Sequence, residues 1–271
     1  MIIVYSVFVF LFATAIGSFL NVVIYRLPRK MNLAKPASHC PKCDAPIKWY
    51  DNIPILSYII LRGKCRNCKD KISPRYLLIE LLAGIGSLLV FLRFGVSTLS
   101  LFGIIMFLIL IPIAFIDIEL MIIPDSLVIL LFILGIFGIF FNDINYGCGI
   151  VNVGYKSKLI ALGIVVAFTF IIVLLEKLLK RDLMGGGDIK LLFCSGILLG
   201  WQLTVLVLCF SSILACICEI FKQGIKKKKE EAEEDEKQSH LFAFAPYIAI
   251  SMVLAYTLGI NLIEFWLQLI A

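Results

Sequence analysis

The sequence predicts an all-α polytopic membrane protein with about eight transmembrane helices and one small polar insert. Of the 271 residues, 61% are hydrophobic and only 16% are charged, and the apolar residues lie in long blocks. Soluble domains are roughly 45–50% apolar and about 25% charged. A run of about 20 apolar residues is long enough to cross a bilayer, so the chain is expected to cross the membrane several times.

Eight apolar segments are candidate spans. They cover residues 2–24, 77–95, 98–116, 123–141, 157–179, 189–200, 202–221 and 241–268. The sixth is short for a bilayer roughly 30 Å thick. It either begins within the preceding glycine-rich segment, is re-entrant, or is shielded by neighbouring helices. The last span contains Pro246, which predicts a kink or a tilt.

The distribution of positive charge predicts the orientation of these spans. No basic residue precedes the first span, which favours a spanning helix over a cleaved signal peptide. Lys and Arg number twelve in residues 25–76, four in 177–190 and six in 222–240, which is 22 of the 25 in the chain. Because Lys and Arg concentrate in cytoplasmic loops, we expect the N-terminus outside and these three segments inside. The net charge of +6 therefore does not indicate a nucleic-acid partner.

Three regions follow from this layout. Residues 1–28 hold the first transmembrane helix, residues 29–76 form a cytoplasmic insert, and residues 77–271 form a transmembrane core with a charged loop at 222–240. Within that loop, residues 226–237 read KKKKEEAEEDEK. A charge block of this kind is typical of a solvated helix extension or a disordered loop.

The insert carries two CxxC pairs, in the stretches HCPKC and GKCRNCKD. This arrangement, Cys40-x2-Cys43-x21-Cys65-x2-Cys68, is typical of a structural zinc site with four thiolate ligands. Two disulfides or another metal are the alternatives, although disulfides are disfavoured in the cytoplasm. His39 adjoins a cysteine but is interpreted as a bystander. We expect apolar residues of the insert to pack around the site; these are Trp49, Tyr50, Ile53 and Ile55.

Two carboxylates stand at the predicted cytoplasmic ends of spans. Asp117 belongs to the stretch IDIELMIIPD, which ends in Asp125, and Asp188 belongs to GGGDIK. Ionisable groups near a bilayer are costly and often functional. Two convergent carboxyl groups can share a proton, so that one activates water and the other polarises a peptide carbonyl. The sequence therefore predicts a membrane aspartyl protease dyad of Asp117 and Asp188.

Structural alternatives exist for each carboxylate. Asp125 follows a proline and heads a span, so capping of that helix is its simplest role. Asp188 could likewise cap the sixth helix. Asp117 is harder to explain in this way, because a negative charge at a helix C-terminus is disfavoured by the helix dipole.

Six stretches, in order along nearly the whole chain, resemble those of one family, the type IV prepilin peptidases. They are GSFLNVVIYRLP (17–28), NIPILSY (52–58) between the CxxC pairs, ISPRYLLIELLAG (72–84), IDIELMIIPD (116–125), GGGDIKLL (185–192) and FAPYIAIS (244–251). The fifth is similar to the family's G-x-G-D motif, and Ala245 stands where the family usually has Gly.

This resemblance implies a GxGD intramembrane aspartyl protease of the bacterial cytoplasmic membrane. Asp117 and Asp188 match the catalytic positions, and Asp125, Gly185, Gly187 and Lys190 match supporting ones. The implied substrates are prepilins and pseudopilins of type IV pili and type II secretion, with a basic leader before an apolar helix in the lipid bilayer. The family cleaves the leader and then methylates the new N-terminus with S-adenosylmethionine.

The residues for methylation are less evident, because no glycine-rich nucleotide-binding fingerprint occurs. Candidates flank the insert, and its tetracysteine pattern favours the bifunctional form. They are Gly17, Asn21, Arg26, Arg75 and Glu80. The alternative is that Arg75 and Glu80 anchor their span and hold the insert. Other functions remain open: a peptidase without methyltransferase activity, a carboxylate-bearing transporter, or a non-catalytic assembly factor.

Overall fold

The computed structural model describes residues 1–140, 155–180, 184–230 and 243–270. Within these ranges the chain is helical and contains no strand, apart from two isolated bridges in the insert. In the described ranges, a short 3-10 turn at Trp49–Asn52 accompanies nine α-helices. They are α1 (Ile2–Arg26), α2 (Leu56–Ile60), α3 (Pro74–Phe94), α4 (Thr98–Leu120), α5 (Asp125–Phe140), α6 (Tyr155–Leu179), α7 (Gly186–Leu199), α8 (Trp201–Glu230) and α9 (Ala245–Ile270).

The predicted fold class, a polytopic all-α membrane protein, is confirmed. In the described chain, α1, α3, α4, α6 and residues Trp201–Phe221 of α8 are long and apolar enough to cross a membrane. The apolar helices at Asp125–Gly138 and Ala245–Gly259 are shorter. The predicted total of eight spans therefore stays a prediction. Of the charged loop at 222–240, residues 231–240 lie outside the described residues.

The chain divides into two compact units, Met1–Ile116 and Asp117–Ala271. In the first unit α1 packs against α3, and Gly17 lies at the contact. A Cβ atom at that position would stand 2.8 Å from Ala83 Cβ and 3.0 Å from Glu80 Cα, so a larger residue would push the helices apart. Helix α3 begins with Pro74, and the hydroxyl of Ser73 accepts the Arg75 N–H at 3.4 Å.

In the second unit α7 is the central helix and contacts α5, α6, α8 and α9. Its 14 residues correspond to about 21 Å at 1.5 Å per residue, which is less than the bilayer thickness. Leu191, Leu192 and Leu199 are almost completely buried. Two of the three alternatives for this short span therefore hold: the helix begins within the GGGD segment, and its neighbours shield it.

The kink expected at Pro246 does not arise. Helix α9 begins at Ala245, four residues after the start of the predicted span, so the proline is the second residue of the helix. Proline is well tolerated in the first turn because the N–H it lacks would have no partner within the helix.

Candidate active site and metal centre

The two predicted catalytic carboxylates belong to the second unit and are both buried. Asp117 lies in the last turn of α4 and is 5% exposed, and Asp188 lies in the first turn of α7 and is 8% exposed. The two groups are close enough for the charge of Asp117 to act on the Asp188 carboxyl group. Residues 71 positions apart in the sequence are thus brought together.

Asp117 faces the start of another helix. Its Oδ2 accepts a hydrogen bond from the Ala245 N–H at 3.1 Å, and Ala245 is the first residue of α9. The N-terminus of a helix carries free N–H groups and a partial positive charge. The interaction with the α9 N-terminus offsets the unfavourable interaction of Asp117 with the dipole of its own helix. It therefore favours the ionised carboxylate.

Asp188 is not the N-cap residue of α7, so the capping alternative for this residue was wrong. The N-cap residue is Gly185, which has no side chain to cap the helix. Instead, Asp188 turns inward, and its Oδ1 is buried without a hydrogen-bond partner in the described part of the chain. A buried polar atom without a partner is costly, and such atoms often mark a functional site.

The glycines before Asp188 occupy crowded positions. A Cβ atom at Gly185 would lie 3.1 Å from Asp188 Oδ2, and one at Gly187 would lie 3.0 Å from the Ile123 side chain. Both distances are tighter than most Cβ contacts. Glycine at these two positions therefore allows the segment to approach both the carboxylate and the loop after α4.

Lys190 and Asp125 connect the two motifs at the surface. The Lys190 ammonium group donates to Asp125 Oδ1 at 2.6 Å, and both side chains are more than half exposed. Asp125 is the first residue of α5, which agrees with its predicted place at the head of a span. Because the pair is exposed, we expect its contribution to stability to be small.

One contact was not foreseen from the sequence: the Ala245 N–H that binds Asp117. The segment FAPYIAIS was recognised only as a family resemblance and was given no role. A usable signal was present, because a proline near the start of an apolar segment is typical of a helix N-terminus, where free N–H groups bind anions.

The four cysteines of the insert form one cluster. The sulfur atoms of Cys40, Cys43, Cys65 and Cys68 all lie within 4.8 Å of one another, and Cys40 Sγ and Cys68 Sγ are 3.8 Å apart. A tetrahedral zinc ion with Zn–S bonds of about 2.3 Å separates its sulfurs by about 3.8 Å. The cluster therefore fits a metal ion, while His39 binds the Ala37 carbonyl instead.

Backbone N–H groups favour the thiolate form of two of these cysteines. The N–H groups of Cys68 and Asn67 lower the pKa of Cys65 to about 7, and the Ala45 N–H lowers that of Cys43. Although the Asp70 N–H lowers it, the pKa of Cys68 is raised to about 11 by partial desolvation and by the other three thiols. Thiolates this close repel one another, so all four can ionise only around a cation.

Of the four apolar residues expected to pack around this cluster, three are exposed, and only Ile55 is half-buried. Trp49 is 80% exposed, and Tyr50 and Ile53 are also exposed. An apolar segment packs inward in a soluble domain, but in a membrane protein it can also face lipid, and the sequence pattern is the same for both.

The candidates for methylation belong to the first unit, around the contact of α1 and α3. The Asn21 amide donates to the carbonyls of Gly17 and Tyr76, each at 3.3 Å. Its Oδ1 is buried and accepts no hydrogen bond from the described residues. Arg75 places its guanidinium beside the Tyr76 ring.

Two of these candidates hold the insert. The Arg26 guanidinium donates to the carbonyls of Asn32, Leu33 and Pro36. The Glu80 carboxylate accepts the Ile55 N–H at 2.8 Å. The Glu80 contact matches the structural alternative, in which Glu80 holds the insert.

Two family models match this chain. Residues 11–94 match the bacterial peptidase A24 N-terminal domain, and residues 104–220 match the type IV leader peptidase family. No solved structure matches.

Several relatives are similar over most of their length, and each is a prepilin leader peptidase/N-methyltransferase. The chain is 35% identical to that of Neisseria gonorrhoeae, over 89% of this chain and 86% of the relative. It is 32% identical to the relative from Aeromonas salmonicida, over 98% of this chain and 95% of the relative. It is 31% identical to the relative from Legionella pneumophila, over 95% of this chain and 92% of the relative.

Proposed function

The chain belongs to the type IV leader peptidase family, and from this premise we propose that Asp117 and Asp188 are the catalytic pair that removes prepilin leaders. Cleavage of a leader and methylation of the new N-terminus are the activities that the names of its relatives state. The observation that carries the assignment is the burial of both carboxyl groups at interacting distance in one helical unit.

Different surroundings support different roles for the two carboxyl groups. Asp117, which accepts the Ala245 N–H, is the ionised member, since the positive end of α9 stabilises its charge. Asp188 is the protonated member, because its buried Oδ1 has no donor within the described chain and like charges held close cannot both ionise easily.

Hydrolysis then follows from these roles. The Asp117 carboxylate takes a proton from water, and the resulting hydroxide attacks the carbonyl carbon of the scissile bond. The Asp188 carboxyl group donates a hydrogen bond to the carbonyl oxygen, where negative charge develops. When the tetrahedral intermediate collapses, the C–N bond breaks and the leaving amine takes up the proton that Asp117 removed from water, which restores the Asp117 carboxylate. Asp125 and Lys190 support the site by joining α5 to α7.

The proposed membrane orientation suits this chemistry. The positive charge of residues 25–76, 177–190 and 222–240 supports a cytoplasmic position for these segments, with the N-terminus outside. A prepilin has a basic leader that stays in the cytoplasm and an apolar helix that lies in the bilayer. Its scissile bond therefore lies at the cytoplasmic interface, where Asp117 and Asp188 end or begin their helices.

We assign zinc to the tetracysteine cluster. Four sulfurs at this spacing satisfy the tetrahedral preference of Zn²⁺, and a small insert with few buried apolar residues needs the ion to fold. The ligands are Cys40, Cys43, Cys65 and Cys68. The ion has a structural role, because all four of its coordination positions are filled by protein.

The methyl donor proposed for the second activity is S-adenosylmethionine, which supplies an electrophilic methyl group to the new N-terminal amine. The buried Asn21 Oδ1 without a donor supports a polar ligand near α1 and α3. Gly17, Arg26, Arg75 and Glu80 remain candidates beside it, with Arg26 and Glu80 acting through the loops that they hold.

The proposed function is tested with the purified full-length protein in detergent. A prepilin with a basic leader is incubated with and without S-adenosylmethionine, and the product is analysed by N-terminal mass spectrometry. We expect leader removal in both reactions and one added methyl group only in the second. An intact leader in both would contradict the proposed peptidase, whereas cleavage without the methyl increment would leave a peptidase alone.

A further inference from the structure

Helix α2 carries an apolar face that nothing in the described chain covers. Leu56 is 55% exposed, Ile59 is 60% exposed and Ile60 is 69% exposed. Residues separated by three and four positions lie on the same side of a helix, so these side chains form one continuous apolar surface. The adjacent Trp49 is the most exposed aromatic residue of the insert.

The opposite side of α2 is attached to the insert. Ser57 is buried and donates its hydroxyl hydrogen to the Tyr50 carbonyl at 3.2 Å, and the Tyr58 hydroxyl donates to the Ile72 carbonyl at 3.4 Å. The helix therefore has a fixed rotation, and its apolar face is directed away from the insert by the fold itself.

The start of α2 is fixed to a spanning helix. Ile55 has φ 63° and ψ −54°, and the Leu56 N–H bonds to the Pro54 carbonyl at 2.6 Å. This is a γ-turn of the rare positive-φ type, which is strained for a β-branched residue and persists only when its surroundings enforce it. Glu80 provides this support, since its carboxylate accepts the Ile55 N–H at 2.8 Å.

The attachment point sets the depth of α2. Glu80 is six residues after Pro74, the first residue of α3, which corresponds to about 9 Å along the helix. The neighbouring residues Leu78 and Leu82 are exposed apolar side chains of the same spanning helix. Because the side chain of Glu80 reaches Ile55 directly, α2 begins at the level where α3 already presents apolar surface.

The charge around α2 suits the same environment. Residues 29–73 contain ten Lys and Arg against three Asp, so this segment stays cationic even when the charge of −2 of a zinc tetrathiolate is counted. The exposed Arg62 and Lys64 directly follow the helix. Basic residues beside an apolar helical face are typical of helices that lie in the membrane interface and attract anionic lipids.

We propose that α2 is an interfacial anchor, which inserts Leu56, Ile59 and Ile60 into the bilayer leaflet in which α3 begins. Phospholipid is the partner, with acyl chains against the apolar face and headgroups against the following basic residues. The anchor holds the tetracysteine insert at the membrane surface. This inference does not depend on the proposed catalytic function.

Depth-dependent fluorescence quenching tests the anchor in the full chain. Trp49, Trp201 and Trp266, the three tryptophans, are first replaced by Phe. Ile59→Trp is then compared with Lys42→Trp in proteoliposomes of three parts phosphatidylcholine to one part phosphatidylglycerol. Lys42 is the control position, because it also lies in the insert and its side chain is 71% exposed. Phosphatidylcholine brominated near the top of its acyl chains serves as the quencher.

An anchor buried about 5–10 Å below the surface should place the tryptophan introduced at position 59 near the bromine atoms. We expect brominated lipid to quench its fluorescence strongly and to leave that of the Lys42→Trp protein nearly unchanged. Equal and weak quenching of both proteins would overturn the proposal. Gel filtration in detergent must show the same elution for both proteins, and Leu56→Trp provides a second anchor position if Ile59→Trp does not fold.

Discussion

The two compact units both bury charged side chains, and the carboxylates among them differ in their hydrogen bonds. In residues 1–116, Arg26 donates to three backbone carbonyls and Glu80 accepts the Ile55 N–H. In residues 117–271, Asp117 accepts one N–H group, and Asp188 keeps a buried oxygen without a partner in the described chain. Charged groups that are fully hydrogen-bonded stabilise a loop or a turn, whereas a carboxyl oxygen without a hydrogen-bond partner is available to a substrate.

The comparison predicts that single substitutions in the second unit reduce activity more than stability. Asp188→Asn and Asp117→Asn preserve shape but remove the acid or the base, so we expect the cleavage rate to fall by about 10²–10⁴-fold. Rates are measured with a basic-leader prepilin in detergent. The thermal midpoint of each variant serves as the control, and it should change little, because asparagine keeps the shape of each side chain. A variant that retains full cleavage would exclude its residue from the pair.

Substitution of a cysteine in the metal cluster should have the opposite effect, and reduce the stability of the insert more than the cleavage rate. Because structural zinc binds with about 10–16 kcal/mol of apparent free energy, Cys65→Ser should abolish stoichiometric zinc and unfold the insert. Elemental analysis of the purified protein measures the metal, and N-terminal mass spectrometry measures both activities. We expect methylation to be lost and cleavage to be retained. Equal loss of both activities would show that the insert also supports the protease.

Glu80 tests the contribution of a satisfied charge. Glu80→Ala leaves the Ile55 N–H without its acceptor, which should lower the free energy of unfolding by about 1–3 kcal/mol. Glu80→Gln keeps an acceptor oxygen and should cost less. Thermal unfolding in detergent, together with protease sensitivity of residues 49–60, measures the difference. If Glu80→Ala unfolds like the parent protein, the γ-turn does not depend on this contact.

The smallest effect is expected at the exposed ion pair of Lys190 and Asp125. Such pairs are worth about 0.2–1 kcal/mol, so Lys190→Met should change the thermal midpoint slightly and the cleavage rate by only a few-fold. Asp125→Asn is the matched variant and should behave in the same way. A loss as large as that of the dyad variants would instead place Lys190 in the chemistry.

Much of this organisation could be predicted from the sequence, because apolar blocks, CxxC pairs and isolated carboxylates are local signals. The helices of the described chain follow the predicted spans closely, and Asp117 and Asp188 do lie together. The Ala245 contact was only partly predictable: Pro246 indicates the N-terminus of a helix, but nothing local indicates which carboxylate that N-terminus faces. Trp49 and Ile59 could not be placed either, because apolar residues face a core and face lipid with the same composition.

The most direct test of the central claim, that Asp117 and Asp188 act as one unit, is a double-mutant cycle on the cleavage rate. Groups that act together are strongly non-additive. We therefore predict that Asp117→Asn combined with Asp188→Asn retains about the same residual rate as either single variant. Losses that multiply, so that the double variant is slower by the product of the two single effects, would contradict a shared catalytic step.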